Sequence, residues 1–403
     1  MNTIYNKGCL ILLDNKVVSL TIADIHIGKK DTEMLRKELN QYFIESLEDL
    51  KGTIDIITIA GDYFDRIIRF NEPAGILAID IMEYLIKYCK DNNTQLRILQ
   101  GTRSHDNNQL DVFGNYEKDF PNFFKIIRKV NTEKIVLGGK ERNVLYLPEE
   151  YPSNPDDYYK EYFDKEEGYY DLIFGHGMTD VVGFDFSNWG DDSENISLGT
   201  PVHNTDNLIK LSKGPVIFGH IHNMKSYKDK FFYTGSFSRY AFDSQEEKGF
   251  LLTYLNSEDF NDFEVGFIEN EDAPTYGIIN IDNINLKEGE DLFKIIETMT
   301  SQFTYSKIIS SDENNLKLMR QLSEKESSIK IETKKKENKS VIDDKYSFIL
   351  ENNLSTEETI QKYIKLGESE KEIPLGQISM IISEKDYSFD DILNYEKSEI
   401  NKI

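Results

Sequence analysis

The chain carries only six histidines, and five of them (His26, His105, His176, His220 and His222) stand beside glycine or aspartate where a short apolar run ends. The segments are Ala23-Asp24-Ile25-His26, Gly61-Asp62-Tyr63-Phe64-Asp65, Gly101-Thr102-Arg103-Ser104-His105-Asp106, Gly175-His176-Gly177 and Gly219-His220-Ile221-His222. Each motif alone has an ordinary structural explanation, but five in order, each at the end of an apolar run, point to one shared metal site. On an extended strand end, side chains two residues apart point the same way. Asp24 and His26 can therefore grip one cation while Ile25 faces the core, and His220 and His222 repeat the device. Asp62 can offer one oxygen to each of two cations, holding them where they clamp the attacking and leaving oxygens of a phosphodiester. Imidazole and carboxylate ligands without thiolate suit Mn, Fe or Zn. Water held between two such cations, its pKa lowered, is the expected nucleophile.

The elements that must position these groups are legible as alternating strands and helices over the first 255 or so residues. Strands are expected at Val17–Ile22, Ile54–Ala60, Leu96–Leu99, Leu172–Phe174 and Val216–Phe218, and helices at Asp31–Leu50 and Pro73–Lys90, with Pro73 suited to a first turn. This is an α/β pattern, in which ligands gather at the carboxyl ends of strands. Tyr151–Gly168, crowded with Asp, Glu, Tyr and Pro, reads as an exposed insertion. With 403 residues the chain exceeds what one core usually fills. Three parts are expected: 1–255 with the metal motifs, 256–340 with strands near Tyr276–Ile281 and Ser328–Thr333 and a helix at Gly289–Met299, and 341–403 with helices at three apolar clusters.

The net charge of −25 runs against nonspecific nucleic-acid binding by the whole surface. It leaves room for metals, local basic residues or a partner to hold an anionic substrate. Cys9 and Cys89 lack any metal-type spacing and suit a reducing compartment. No signal peptide or membrane-spanning run is read, so a cytoplasmic location is expected. No P-loop is present; if ATP takes part, another chain binds it.

In kind and order, these motifs resemble the calcineurin-like metallophosphoesterases. Gly61-Asp62-Tyr63-Phe64-Asp65, together with Tyr233-Thr234-Gly235-Ser236-Phe237, Phe242-Asp243 and Lys248-Gly249, is similar to the SbcD-type nuclease subunits of that family. The resemblance covers roughly residues 15–255. It implies a sandwich of two β-sheets flanked by helices, a small α+β capping domain over the active site, and C-terminal helices that bind a partner. It also implies a 3′–5′ exonuclease and single-strand endonuclease acting on DNA ends, with Mn as the working metal. The implied partner is an SbcC-like coiled-coil ATPase, with two copies of this chain in a heterotetramer.

Carried over by position, the resemblance gives one metal Asp24, His26, Asp62 and His222, and the other Asp62, His176 and His220. His105 matches the histidine that assists the leaving oxygen without ligating metal. Asp106 beside it orients that ring or is structural. The family pattern Gly-Asn-His-Asp, whose Asn carbonyl completes the second metal's shell, is replaced by a loop two residues longer. Ser104 or water then supplies the missing oxygen, or the second site binds weakly. Arg103 is a candidate for the scissile phosphate.

His203 reads as a loop or core histidine, Asp65 as a stabiliser of the loop after Asp62, and Trp189 as a loop-packing residue or a base-stacking one. Two other functions remain open. One is a phosphatase of monoesters or phosphoproteins, although after Gly61-Asp62-x-x-Asp65-Arg66 the glycine of the protein phosphatases is replaced by Ile67. The other is a recombination scaffold with a degenerate metal site.

Overall fold

A computed structural model describes residues 15–182, 201–242, 246–284, 291–312, 315, 319, 320, 323 and 328–333. Trp189, the lysine run Lys334–Lys339 and the expected C-terminal helices lie outside the described residues. The chain divides into two compact units, Met1–Ile309 with Asn314–Glu332, and Ser310–Glu313 with Thr333–Ile403. The elements below belong to the first, apart from the last residues of two strands.

Four parallel strands come first: β1 (Lys16–Ile22), β2 (Ile56–Ala60), β3 (Gln95–Leu99) and β4 (Phe124–Ile127). The chain then crosses to a second sheet. There β5 (Asn131–Leu137) and β6 (Lys140–Leu147) form a hairpin, and β7 (Leu172–His176) follows. A two-residue pair, β8 (Met178–Thr179) with β9 (Val202–His203), precedes β10 (Val216–Gly219), β11 (Lys225–Tyr227) and β12 (Phe231–Tyr233). Finally β13 (Gly249–Asn256) and β14 (Phe263–Glu269) return to the first sheet, β13 pairing antiparallel with β1 at Val18↔Tyr254. The two six-stranded sheets therefore run β14-β13-β1-β2-β3-β4 and β11-β12-β10-β7-β6-β5.

Strands β2, β7 and β10 are buried along their whole length because each lies between two apolar layers. Val17, Ile56 and Leu99 of the first sheet meet Val144, Phe174 and Ile217 of the second. The outer face of the first sheet packs on α1 (Thr32–Glu38) and on the helix Pro73–Asn92, through Leu35, Leu77, Ile81 and Leu85. That long helix starts with Pro73 in its first turn and stops at Asn93, whose φ of 56° breaks the helical path. The expected helix Asp31–Leu50 is interrupted by a π-helical stretch, Leu39–Ile44.

Tyr151–Gly168 differs from expectation. Asn154 caps a helix, Pro155–Phe163, by accepting from the Asp157 backbone N–H, and Tyr159 is 2% exposed against the second sheet. Its polar composition belongs to the outer face alone. The first sheet also runs on to Glu269, beyond the expected boundary at 255. Past it, β15 (Tyr276–Asn280), β16 (Tyr305–Ser310) and β17 (Ile329–Thr333) make a separate sheet. Its core is Ile279, Ile296, Ile308 and Ile329, with Ile296 supplied by the helix Leu292–Thr300.

His203 belongs to the core rather than to a site, its ring edge-on to Tyr159 at 5.0 Å and to Phe163 at 5.8 Å. Burial lowers its pKa to about 4. Above pH 6.5 the ring is neutral both folded and unfolded, so it adds no pH dependence there. As the pH falls from 6.5 towards 4, the unfolded chain takes up a proton that the folded one refuses, and stability drops by an amount on the order of 3 kcal/mol. Urea titrations of His203→Phe should therefore lose less stability than the parent protein across that window; parallel losses would contradict a buried neutral ring.

Candidate metal centre

Every site motif follows a parallel strand, and the loops after β1 and β2 continue the strands' pairing in distorted form. The Asp24 N–H donates to the Gly61 carbonyl at 3.1 Å, His26 to Asp62 at 3.1 Å, and Ile27 to Tyr63 at 3.0 Å. The expected extended strand end is not what turns Asp24 and His26 inward. Both have left-handed backbone, with φ of 52° and 47°, as do Asp62 at 50° and His220 at 92°. Each such residue costs roughly 1–2 kcal/mol. Ile25 between the two ligands is fully buried and packs in the core of the first sheet.

Two glycines make the convergence possible. A Cβ on Gly61 would stand 2.2 Å from His176 Nδ1, and one on Gly101 would stand 2.1 Å from Asp62 Oδ1. With that room, donor atoms gather within 4.8 Å of one another in three sets: Asp24, His26 and His222; His26, Asp62 and His105; Asp62, His176 and His220. Asp62 is common to two of them and His26 to two. His176 Nδ1 donates to the Ala60 carbonyl at 2.7 Å, which turns Nε2 towards Asp62 Oδ2 at 3.4 Å. His26 Nε2 and His222 Nε2 face each other at 2.8 Å. The motif residues further along the chain hold the last ligand loop: the fully buried Lys248 donates from Nζ to the His222 carbonyl at 2.6 Å, and Ser236 N–H donates to the same oxygen at 3.0 Å.

The electrostatics suit cations. Burial, reinforced by His222, holds His26 well below the usual imidazole range. Burial together with Lys248 and Lys29 does the same to His222. Two neutral rings thus present lone pairs beside Asp24, which burial pushes up to about 8. Burial opposes charge on Asp62 as well, but His176 and its neighbours outweigh it and hold this carboxylate well below its usual range. At His176 burial again opposes charge, and Asp62 and Asp24 outweigh it, lifting the ring well above its usual value. The buried His26 Nδ1 has no hydrogen-bond partner among the described residues and lies 3.6 Å from Asp65 Oδ1. A set of imidazoles and carboxylates crowded into one buried cluster and shared through Asp62 fits two divalent cations.

His105 is 8% exposed, its Nδ1 donating to the Asp65 carbonyl and its Nε2 4.0 Å from Asp62 Oδ2. Asp65, not Asp106, therefore orients the ring. The Asp106 carboxylate accepts three backbone N–H groups instead, from Asp62 at 3.1 Å, Phe64 at 2.9 Å and Gly101 at 2.8 Å, and so ties the β2 loop to the β3 loop. Burial, with Asp62 beside it, pushes Asp106 up to about 7.

Arg103 and Ser104 are exposed. The hydroxyl in the cluster is that of Thr102, 3.2 Å from Asp62 Oδ2 and 3.4 Å from both His176 Nε2 and His220 Nδ1. One neighbour had no signal in the sequence: Glu149, two residues past β6, reaches His220 Nδ1 at 3.2 Å and His176 Nε2 at 3.5 Å. It stands in Leu147-Pro148-Glu149-Glu150-Tyr151, without the glycine or histidine that marks the other loops.

A cavity of about 760 Å³ has Lys29 and Tyr240 in its lining on the side of the cluster. The Tyr240 ring stands 5.4 Å from His26 and 6.3 Å from His222. Lys29, Lys30, Lys307 and Lys330 line the cavity against only two carboxylates, Asp31 and Glu332, and Phe242, Tyr276 and Tyr305 lie among them. Tyr276 and Tyr305 stack with centroids 5.1 Å apart, and Lys307 Nζ lies 5.2 Å over the Phe242 ring.

No helix among the described residues is long and apolar enough to cross a membrane. A comparison with curated proteins found no match. A solved crystal structure aligns with 63% of this chain and 99% of its own at 12% identity, with a TM-score of 0.35, too slight a likeness to carry an argument. The model of the calcineurin-like phosphoesterase family matches residues 19–224, just over half of the chain and the span that holds every group of the cluster. The chain belongs to that family, whose members are hydrolases of phosphoesters that work with divalent metals.

Proposed function

We propose that this chain is a metal-dependent DNA nuclease of the SbcD type, with 3′–5′ exonuclease and single-strand endonuclease activity on DNA ends in recombination, repair or replication. The observation that carries the reading is the cavity beside the metal centre. A phosphomonoester needs little beyond the cations, whereas a polynucleotide has further phosphates and bases to place. Lysines that outnumber the lining carboxylates answer the first need, and the aromatic side chains Tyr240, Phe242, Tyr276 and Tyr305 answer the second. That a chain of net charge −25 keeps four lysines there points the same way. The SbcC-like ATPase partner and manganese as the working metal go with this reading, supported by the motif resemblance alone.

In the reaction, the cations when bound neutralise the phosphodiester and lower the pKa of attacking water. The chain's own groups do the rest. Asp62 holds the two ligand sets together, and His176 is fixed by its bond to Ala60. With Nδ1 held by the Asp65 carbonyl, His105 offers Nε2 to the departing oxygen as its proton donor.

Assayed with manganese, the protein should cleave linear duplex and single-stranded DNA in preference to p-nitrophenyl phosphate; faster monoester turnover would favour the phosphatase reading. His105→Ala should lower DNA cleavage by about 10²–10⁴-fold while bound metal, measured by mass spectrometry, stays the same. Cleavage at the parental rate would end the role given to His105. Lys307→Ala combined with Lys330→Ala should weaken binding of single-stranded DNA and flatten the dependence of log affinity on log salt by about 1.4. An unchanged slope would remove these lysines from the binding path.

A further inference from the structure

We infer that Glu149 is a ligand of the second cation, supplying the oxygen that the family motif otherwise takes from an asparagine; the assignment rests on the two-cation reading above. Donor atoms that share one cation at about 2.1 Å stand roughly 3.0–3.4 Å apart in octahedral or tetrahedral arrangement. The second ligand set comes close to that spacing: Asp62 Oδ2 to His176 Nε2 is 3.4 Å, Glu149 Oε2 to His220 Nδ1 is 3.2 Å, and Glu149 Oε2 to His176 Nε2, slightly wider, is 3.5 Å. Ser104, on the exposed side of the loop, does not share this space, and Thr102 reaches it with a hydroxyl alone.

Glu149 is held in place on its other sides. Its backbone N–H donates to the Gln100 carbonyl at 3.1 Å, which fixes it against the altered loop itself. Oε1 accepts from the Tyr151 hydroxyl and Oε2 from Thr102 Oγ1 at 3.0 Å, so the carboxylate has one orientation. With its side chain 3% exposed, it is too deeply buried to be a solvated surface acid. Here it faces His220 and His176, and a cation held between His176, His220 and Asp62 would give it the positive charge that a buried carboxylate needs. A carboxylate in place of a neutral amide adds a full negative charge, which strengthens the hold on a divalent ion.

The test uses the full chain and manganese. Calorimetric titration and metal analysis should give two cations per parent chain. Glu149→Gln, which keeps the shape and removes the charge, should weaken the second binding step about 10-fold or more and bring the metal content after gel filtration towards one. Tyr151→Phe, which removes the hydroxyl that Glu149 Oε1 accepts from, should show a smaller loss at the same step. Two cations held by Glu149→Gln with parental affinities would overturn the assignment while leaving the two-cation reading intact. A single cation on the parent chain would overturn both. Should Glu149→Gln fail to fold by circular dichroism, Tyr151→Phe decides, and an unchanged second step there sinks the idea.

Discussion

The molecule is organised around the Asp62 carboxylate, 2% exposed and approached by three imidazoles and a hydroxyl. An anion so far from water costs several kcal/mol unless positive or polar groups surround it. Those groups come from three separate places, the loops after β1 and β3 and the end of β7, so these must arrive together. That demand explains why glycine precedes Asp62 and occupies position 101, where any side chain would collide with the cluster. It also explains why the Asp106 carboxylate accepts from three backbone N–H groups. The left-handed backbone at Asp24, His26, Asp62 and His220 is the strain that remains. Strain of this kind persists only where the surroundings over-determine it, and here the two sheets packed behind the loops do so.

Much of this was legible in the sequence, for a physical reason. Strands buried on both faces must be short continuous apolar runs, so β1, β2, β3, β7 and β10 announced themselves, and the glycine, aspartate or histidine after each marked the carboxyl edge. Strands at sheet margins carry no such signal. β5 is largely exposed along one side, β11 is three partly exposed residues, and neither stands out from a loop. The helix Pro155–Phe163 was hidden in the same way, because a helix covering one face of a sheet needs only a stripe such as Tyr159 to be apolar.

The site divides along the same line. Histidines are rare here and each was visible; carboxylates are abundant, with 72 Asp and Glu in the chain, so that a single functional glutamate has nothing to distinguish it. Glu149 emerges only when β6 and β7 are placed side by side and the end of one meets the histidine of the other. The inserted loop misdirected attention for a related reason. Adjacency to His105 favoured Ser104, which is exposed, whereas the hydroxyl of Thr102, next to Gly101, lies 3.4 Å from His176 Nε2. Distance along the chain is a poor guide to distance in a loop that reverses.

The overall acidity and the lysine-lined cavity are compatible because they act over different ranges. At physiological salt, charges on an exposed surface are screened beyond about 8 Å, so most of the excess carboxylates are not felt by a phosphate inside the cavity. What it meets there is Lys29, Lys307 and Lys330, and beyond Tyr240 the metal centre. Two of the cavity's lysines are paired within the chain: Lys30 with the buried Glu38, with a bond to Ser238 at 2.8 Å, and Lys307 with Glu332 at 3.0 Å. On the nuclease reading proposed above, an acidic exterior would slow nonspecific capture of nucleic acid, while the short-range field inside the cavity would still favour an end or unpaired segment that enters. Selectivity for such substrates then follows from where the positive charge lies rather than from how much of it the chain carries.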